Sequence, residues 1–391
     1  MGRTARDDRG CAAVRLPRRD ARRGPALLPR RRRQGLHRPR QRAKFNHLHL
    51  HLTDDQGWRL QIDSWPRLTE RAAASSVGGE SGGFYTKDDY REILAHAAAR
   101  HITVVPEIDL PGHTHAVGVA YPELVEEPVL SEDLVRSAEA LGQALPAAGE
   151  PYTGWGVGHS SLRIRTADTE RFVRDVLSEL AELTPGPWLH IGGDEAFGTD
   201  PADFASFMAR TTALVVELGK TPVAWHEAGS GPDIAPGTVG QYWGSRTPQG
   251  AHAAEASRFV ERGGRLIMSP SDAAYLDMKY DEQFPLGLSW AGVVDVRTAY
   301  DWEPTAILPL PAASVLGVEA PLWTETVRDL RDADRLVFPR VAAIAEIAWS
   351  PAAATERTWE SFRERVGRLA PLWQSEGIDH HAAEEIPWSS R

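Results

Sequence analysis

The chain has 391 residues, 42% hydrophobic and 25% charged, with a net charge of −10. Its single cysteine, Cys11, excludes an internal disulfide framework and a cysteine-based zinc site. No apolar run approaches the ~20 residues that span a bilayer, so no membrane partner is expected. The charge is unevenly spread: residues 1–42 hold 15 of the 44 Lys and Arg but only three of the 54 acids, Asp7, Asp8 and Asp20. The remaining 349 residues therefore carry 29 basic and 51 acidic side chains, a net of −22. A body that acidic repels phosphates and argues against nucleic acid as a partner. Thirteen Trp against ten Phe leans mildly towards carbohydrate, because indole rings stack on sugar faces as well as filling cores.

The Arg-rich head reads as a nucleic-acid arm, a disordered basic tail or a translation artefact. No apolar stretch of secretory type follows its charges, so it is not a signal peptide. From residue 43 onwards, short apolar runs alternate with helical patterns. The strand-like runs are 45–52, 102–109, 188–195, 222–227, 238–243, 265–270 and 315–323; helix-like stretches lie at 87–100, 169–183, 201–218, 250–263 and 336–349. Residues 74–84 and 123–162 read as loops. Such alternation predicts a parallel sheet with right-handed crossovers. Seven strands fit a (β/α)8 TIM barrel lacking one strand, or an open doubly wound sheet. Nearly every run ends in polar or aromatic groups: Asp54, Asp109, Asp194, Glu195, Glu227, Trp243 and Glu325. That favours the barrel, whose sites are built at the C-terminal ends of its strands. No Gly-rich phosphate loop follows a strand, so a dinucleotide cofactor is not expected.

Three constellations carry candidate chemistry. His47, His49 and His51 alternate along the first run, and His-x-His at a strand end suggests a metal-dependent hydrolase using His47 and His49. If Asp54 faces the site, however, alternation places these histidines on the opposite, outward face. Glu107, Asp109 and His113 gather at the next strand end, either as turn chemistry with a buried ion pair or as a network that tunes an acid. Four tryptophans, Trp225, Trp243, Trp290 and Trp323, stand near strand ends together with Tyr275, Asp277 and Glu325. That set suits a sugar pocket with apolar walls and carboxylates on hydroxyls. Asp194 and Glu195 are adjacent, whereas a glycosidase carboxylate pair must face one bond from opposite sides.

The segments HIGGDEA, LHLTDDQGW, PEIDLPGH, VAWHE, QYWG, YLDMKY, LSWAG and EAPLWTET resemble those of glycoside hydrolase family 20, the β-N-acetylhexosaminidases, over about residues 43–390. The likeness is greatest to its actinobacterial exo-acting members. It implies a barrel that hydrolyses terminal non-reducing β-linked N-acetylglucosamine or N-acetylgalactosamine from oligosaccharides or glycoconjugates, with retention and without metal or cofactor. In such a site the substrate's 2-acetamido oxygen is the nucleophile and forms an oxazolinium intermediate. Glu195 would be the acid and then the base. Asp194 would accept the acetamido N–H, and Tyr275 would bond the acetamido oxygen. Trp225, Trp243 and Trp323 would enclose the methyl group. Asp277 and Glu325 would bind sugar hydroxyls, while His113 and Asp54, with Asp109, would lie beside the acid. Trp290 would sit at the rim. Family members are often secreted.

One segment departs from the pattern. The family opens its barrel with a strand close to R-G-x-M-L-D-x-A-R-H-F-F and a helix, and an Arg of that segment binds the terminal sugar. At 17–41 this chain instead reads PRRDARRGPALLPRRRRQGLHRPRQ. A codon choice for those residues, read one base later, encodes RGAMLDVARHFFPVDDVKAYIDRV. Residues 1–42 are therefore expected to be an out-of-frame segment ahead of a catalytic barrel at 43–391, with the first strand and helix missing or replaced. A missing strand would leave two exposed sheet edges and an inactive or merely sugar-binding remnant.

Overall fold

A computed structural model describes residues 44–389 and the backbone of residues 11–14. Eight parallel strands close into a barrel: β1 Cys11–Val14, β2 His47–His51, β3 Thr103–Glu107, β4 Trp188–His190, β5 Thr221–Trp225, β6 Val239–Tyr242, β7 Leu266–Met268 and β8 Val315–Ala320. The (β/α)8 expectation holds, but the expected open edges do not occur. Cys11–Val14 pairs with Gly317–Ala320 on one side, and Ala13 pairs with His47 on the other. The place of the first strand is thus filled from within residues 1–42. The remainder of that segment, including the out-of-frame reading of 17–41, lies outside the described residues.

Helices follow the strands as the sequence pattern predicts, with ends displaced by up to four residues. Helix α1, Lys87–Ala98, starts at a capping box in which Thr86 and Asp89 satisfy each other's backbone N–H. Helix α2, Ala167–Leu183, is capped by Thr166 and buries Phe172, Val173, Val176, Leu177 and Leu180, a stripe at helical spacing. Asp200 caps α3, Pro201–Glu217, with Pro in its first turn. Helix α4 covers His252–Glu261 and α5 covers Arg340–Trp349. The segment read as a loop at 123–162 carries a helix over Glu132–Leu141, capped by Ser131 and closed by Gly142 at φ +61°.

Strand faces separate two cores. Leu48, Leu50 and Leu52 of the β2 region belong to the large apolar cluster that also contains the buried faces of α1, α2 and α3. Val223, Val239, Ile267 and Leu316, with Trp188 against them, form a separate small cluster inside the barrel. His49 is buried at 1% exposure against Glu319 and Glu107. His47, His49 and His190 line a residual interior void of about 10 Å3, so the barrel is a filled core and not a pore. The expectation that these histidines face outward is therefore corrected. Alternation cannot be carried from His51 to Asp54, because the β2 strand ends at His51 and Thr53–Asp54 pairs antiparallel with Gly57–Trp58. Among the described residues no helix is long and apolar enough to cross a membrane.

Candidate active site

Strand β4 ends at His190, and the chain continues through Gly192 and Gly193 into Asp194 and Glu195. Extended alternation stops there, since φ is +69° at Gly192, +95° at Gly193 and +45° at Glu195. A Cβ on Gly192 would lie 1.6 Å from Asp109 Oδ1, so only glycine lets this loop approach the end of β3. Asp109 Oδ1 also accepts the Gly193 N–H at 3.1 Å. With the alternation broken, both acids reach the same imidazole. His113 Nε2 is 3.7 Å from Asp194 Oδ2 and 3.7 Å from Glu195 Oε2. His113, like Glu195, holds a left-handed φ, +55°, a conformation that costs a non-glycine residue roughly 1–3 kcal/mol and concentrates at functional sites.

The support of His113 continues below it. Its Nδ1 is 3.0 Å from Asp54 Oδ1, which also accepts the Asp55 N–H at 2.6 Å. Asp55 Oδ1 in turn accepts the His115 N–H at 3.0 Å and the Ser160 hydroxyl at 2.6 Å. These bonds tie the turn after β2 to the loop after β3, so the imidazole is fixed from two elements.

Charge sets the proton inventory. Burial pushes the Glu195 carboxyl up to about 7; the charges of Asp194, Asp54 and Asp55 add to this and His113 opposes it. Burial, with the negative charge of Asp194 next, raises Asp109 well above the usual carboxylate range. Burial acts to lower His113, yet the carboxylates of Asp109, Asp54 and Asp194 outweigh it and hold the imidazole well above its usual value. Asp194 Oδ1 is buried without a hydrogen-bond partner among the described residues.

Aromatic rings line the other side of the mouth. Trp243 meets Trp290 at 6.1 Å between centroids, Trp290 meets Tyr275 at 5.8 Å, and Tyr275 meets Trp323 at 6.4 Å. Trp290 is 56% exposed, which places it at the rim. Trp225 is fully buried in the barrel interior and donates Nε1–H to Glu107 Oε1 at 2.9 Å. Asp277 Oδ1 accepts the Trp323 N–H at 3.3 Å, while its Oδ2 is buried without a partner among the described residues. Burial and the charge of Glu325 raise the Asp277 carboxyl well above its usual value.

Several contributors received no site role from the sequence, or a different one. Glu227, the last residue of the PVAWHE run, accepts Trp243 Nε1–H at 2.9 and 3.0 Å and is pushed well up by burial and by Asp194. Arg340 is fully buried and donates to the carbonyls of Leu276, Met278, Val294 and Leu336. Its signal in the sequence is a basic residue inside the largely apolar run VFPRVAAIAEIAW. His51 and Glu107 lie beneath the acid. Among the described residues, four groups of three His and carboxylate residues bring ligand atoms within 4.8 Å of one another: His49-Glu107-His190, His51-Glu107-Asp109, Asp54-Asp55-His113 and Asp109-His113-Asp194. His47 belongs to none of them and stacks on Trp188 at 4.7 Å, so His47 and His49 do not converge on one ion site.

Comparison with known proteins gives this geometry a family. Residues 42–202 and 201–352 match the model of "Glycosyl hydrolase family 20, catalytic domain". A β-N-acetylhexosaminidase of Cellulomonas fimi is 43% identical over 349 residues, covering 88% of this chain and 65% of its own length. A β-hexosaminidase of Akkermansia muciniphila is 33% identical, covering 83% of this chain and 65% of its own. The chain thus spans just under two thirds of both curated relatives. Among solved structures, a family 20 β-N-acetylglucosaminidase superposes with a TM-score of 0.89 at 50% identity, covering 97% of this chain and 78% of that one. Streptomyces plicatus N-acetyl-β-hexosaminidase in complex with thio-NAglucal superposes at 0.84 with 44% identity, covering 97% and 70%. The broken alternation at Gly192–Glu195, the shared imidazole and the ring of tryptophans therefore stand in a chain that belongs to glycosyl hydrolase family 20.

Proposed function

We propose that this chain hydrolyses terminal, non-reducing β-linked N-acetylhexosamine with retention of configuration, using the substrate's own acetamido oxygen as nucleophile. The carrying observation is that Asp194 and Glu195 lie at equal distance from one imidazole nitrogen, 3.7 Å, on one side of the mouth. A pair that attacks and protonates one bond must flank it. Chain neighbours gathered on one imidazole suit two separate tasks instead.

Glu195, held protonated to about pH 7, donates its proton to the glycosidic oxygen as the acetamido oxygen attacks the anomeric carbon and the C–O bond breaks. Asp109, whose carboxyl is raised by burial and by the neighbouring Asp194, lies against the same loop. Asp194 Oδ1, buried and unpartnered, accepts the acetamido N–H and stabilises the positive charge that grows on the oxazolinium ring. Glu195, now a carboxylate next to the His113 cation, then takes a proton from the water that opens the ring. Tyr275 bonds the acetamido oxygen, and Trp243 and Trp323 enclose the methyl group above the buried Trp225. Asp277 and Glu325 take sugar hydroxyls, and Trp290 offers the rim to the leaving group.

The test is release of 4-nitrophenol from 4-nitrophenyl N-acetyl-β-glucosaminide by the full chain, followed with and without a thiazoline mimic of the oxazolinium ring and with a chelator. Turnover that the thiazoline blocks and the chelator leaves unchanged upholds the reading. No turnover by a folded chain points to a sugar-binding remnant, and chelator-sensitive turnover points to a metal-dependent hydrolase.

A further inference from the structure

His51 is buried at 6% exposure on β2, one level below the acid, and both of its ring nitrogens meet carboxylates. Nδ1 is 2.5 Å from Glu107 Oε2, and Nε2 is 3.1 Å from Asp54 Oδ2. Asp54 reaches upward with its other oxygen, Oδ1, to His113 Nδ1 at 3.0 Å. Glu107 is itself anchored, by Trp225 Nε1–H at 2.9 Å and by His49 Nε2 at 3.0 Å. Carboxylates and imidazoles thus alternate from the barrel interior to the mouth: Glu107, His51, Asp54, His113, and then the Asp194-Glu195 pair.

Ionised carboxylates only accept hydrogen bonds, so each imidazole–carboxylate contact must contain one proton. An imidazole held at both nitrogens has one orientation, and so has the carboxylate above it. Removing the lower contact would take the His51 donor from the buried Asp54 Oδ2 and so loosen one of the bonds that hold this carboxylate against His113. We propose that His51 is a positioning residue for the acid: it fixes the Asp54 carboxylate from below, so that Asp54 aims His113 Nε2 between Asp194 and Glu195. Through Glu107 the same residue couples the acid to Trp225, the floor of the aromatic pocket. This inference rests on Glu195 being the acid and adds the element that orients it.

The competing role for His51 is packing, since its ring also meets Trp323 edge-on at 5.1 Å. Two amides separate the roles. His51→Gln places a donor near the position of Nε2 and keeps the bond to Asp54 while giving up Glu107. His51→Asn places its donor near Nδ1, keeps Glu107 and gives up the bond to Asp54 Oδ2. Each variant is assayed on the 2,4-dinitrophenyl and the unsubstituted phenyl N-acetyl-β-glucosaminide, because only the phenyl leaving group needs full protonation, and thermal unfolding checks the fold. His51→Asn is expected to lose about a hundredfold in kcat on the phenyl substrate, the scale of a displaced general acid, and to stay within about threefold of wild type on the dinitrophenyl one. His51→Gln is expected to stay within about fivefold on both. Equal losses on both substrates, or an Asn variant that keeps phenyl turnover, overturn the proposal. If the Asn variant does not fold, the Gln variant decides: retained phenyl turnover upholds the proposal, and any larger loss overturns it. Failure of the wild type on both substrates would instead sink the hexosaminidase reading.

Discussion

Replacing Arg340 by Met tests whether one buried cation holds half of the sugar pocket in place. The guanidinium bonds the carbonyls of Leu276 at 2.6 Å, Met278 at 2.7 Å, Val294 at 2.8 Å and Leu336 at 2.7 Å, and its carbon lies 3.8 Å from the Tyr280 ring centroid. Three of those carbonyls belong to the segment that carries Tyr275, Asp277 and Trp290. Methionine fills much of the volume but supplies no donor, so four buried carbonyls lose a partner at about 1–3 kcal/mol each. The full sum exceeds what single substitutions normally produce, because water and loop movement satisfy some of the groups. The expected net destabilisation is about 4 kcal/mol, or roughly 6 °C in Tm for a chain of this size. Released at its base, the loop misplaces Tyr275 and Asp277, and kcat/KM for the 4-nitrophenyl substrate should fall by about a hundredfold. Arg340→Lys should rescue little, since a single ammonium cannot span carbonyls on two elements. Calorimetry and steady-state assays at a temperature where both proteins are folded make the comparison. An Arg340→Met protein within 1–2 °C and threefold of wild type would refute the reasoning.

The acid's raised carboxyl has a signed consequence. Glu195 must be protonated to act and its carboxyl sits at about 7, so kcat/KM should fall as pH rises through that value; a profile flat to pH 9 would contradict the assignment. Gly192→Ala puts a methyl at φ +69° and 1.6 Å from Asp109 Oδ1, which forces the Asp194-Glu195 loop away from His113. Circular dichroism melts and kinetics should show a Tm lower by several degrees and a kcat lower by about tenfold or more, whereas wild-type values in both would mean that the loop relaxes freely.

Much of this site can be read along the chain, and the reasons are local. Alternating apolar runs and helical stripes make a barrel, strand-end acids and tryptophans mark its mouth, and the family's segments supply the roles proposed for its carboxylates. Glu227 was visible as a strand-end acid, but nothing in the sequence connects it to Trp243 Nε1. Arg340 was visible as a basic residue in a largely apolar run, but three of its four carbonyl partners, Leu276, Met278 and Val294, lie far from it in sequence. His51 was misplaced altogether, because the period-2 rule fails where β2 ends and a short hairpin begins.

The adjacency of Asp194 and Glu195 belongs to the sequence. That both approach one imidazole belongs to tertiary structure, because it needs glycine at Gly192 and Gly193, the Asp109 carboxylate against their backbone and His113 held from the next loop. The closing of the barrel has the same character. Residues 1–42 contain no recognisable first strand of the family, yet Cys11–Val14 occupies its place, because the unpaired N–H and C=O groups of β8 and β2 accept any extended backbone whatever its side chains. Side-chain chemistry is written residue by residue; the contacts that aim it are made between residues that the chain keeps far apart.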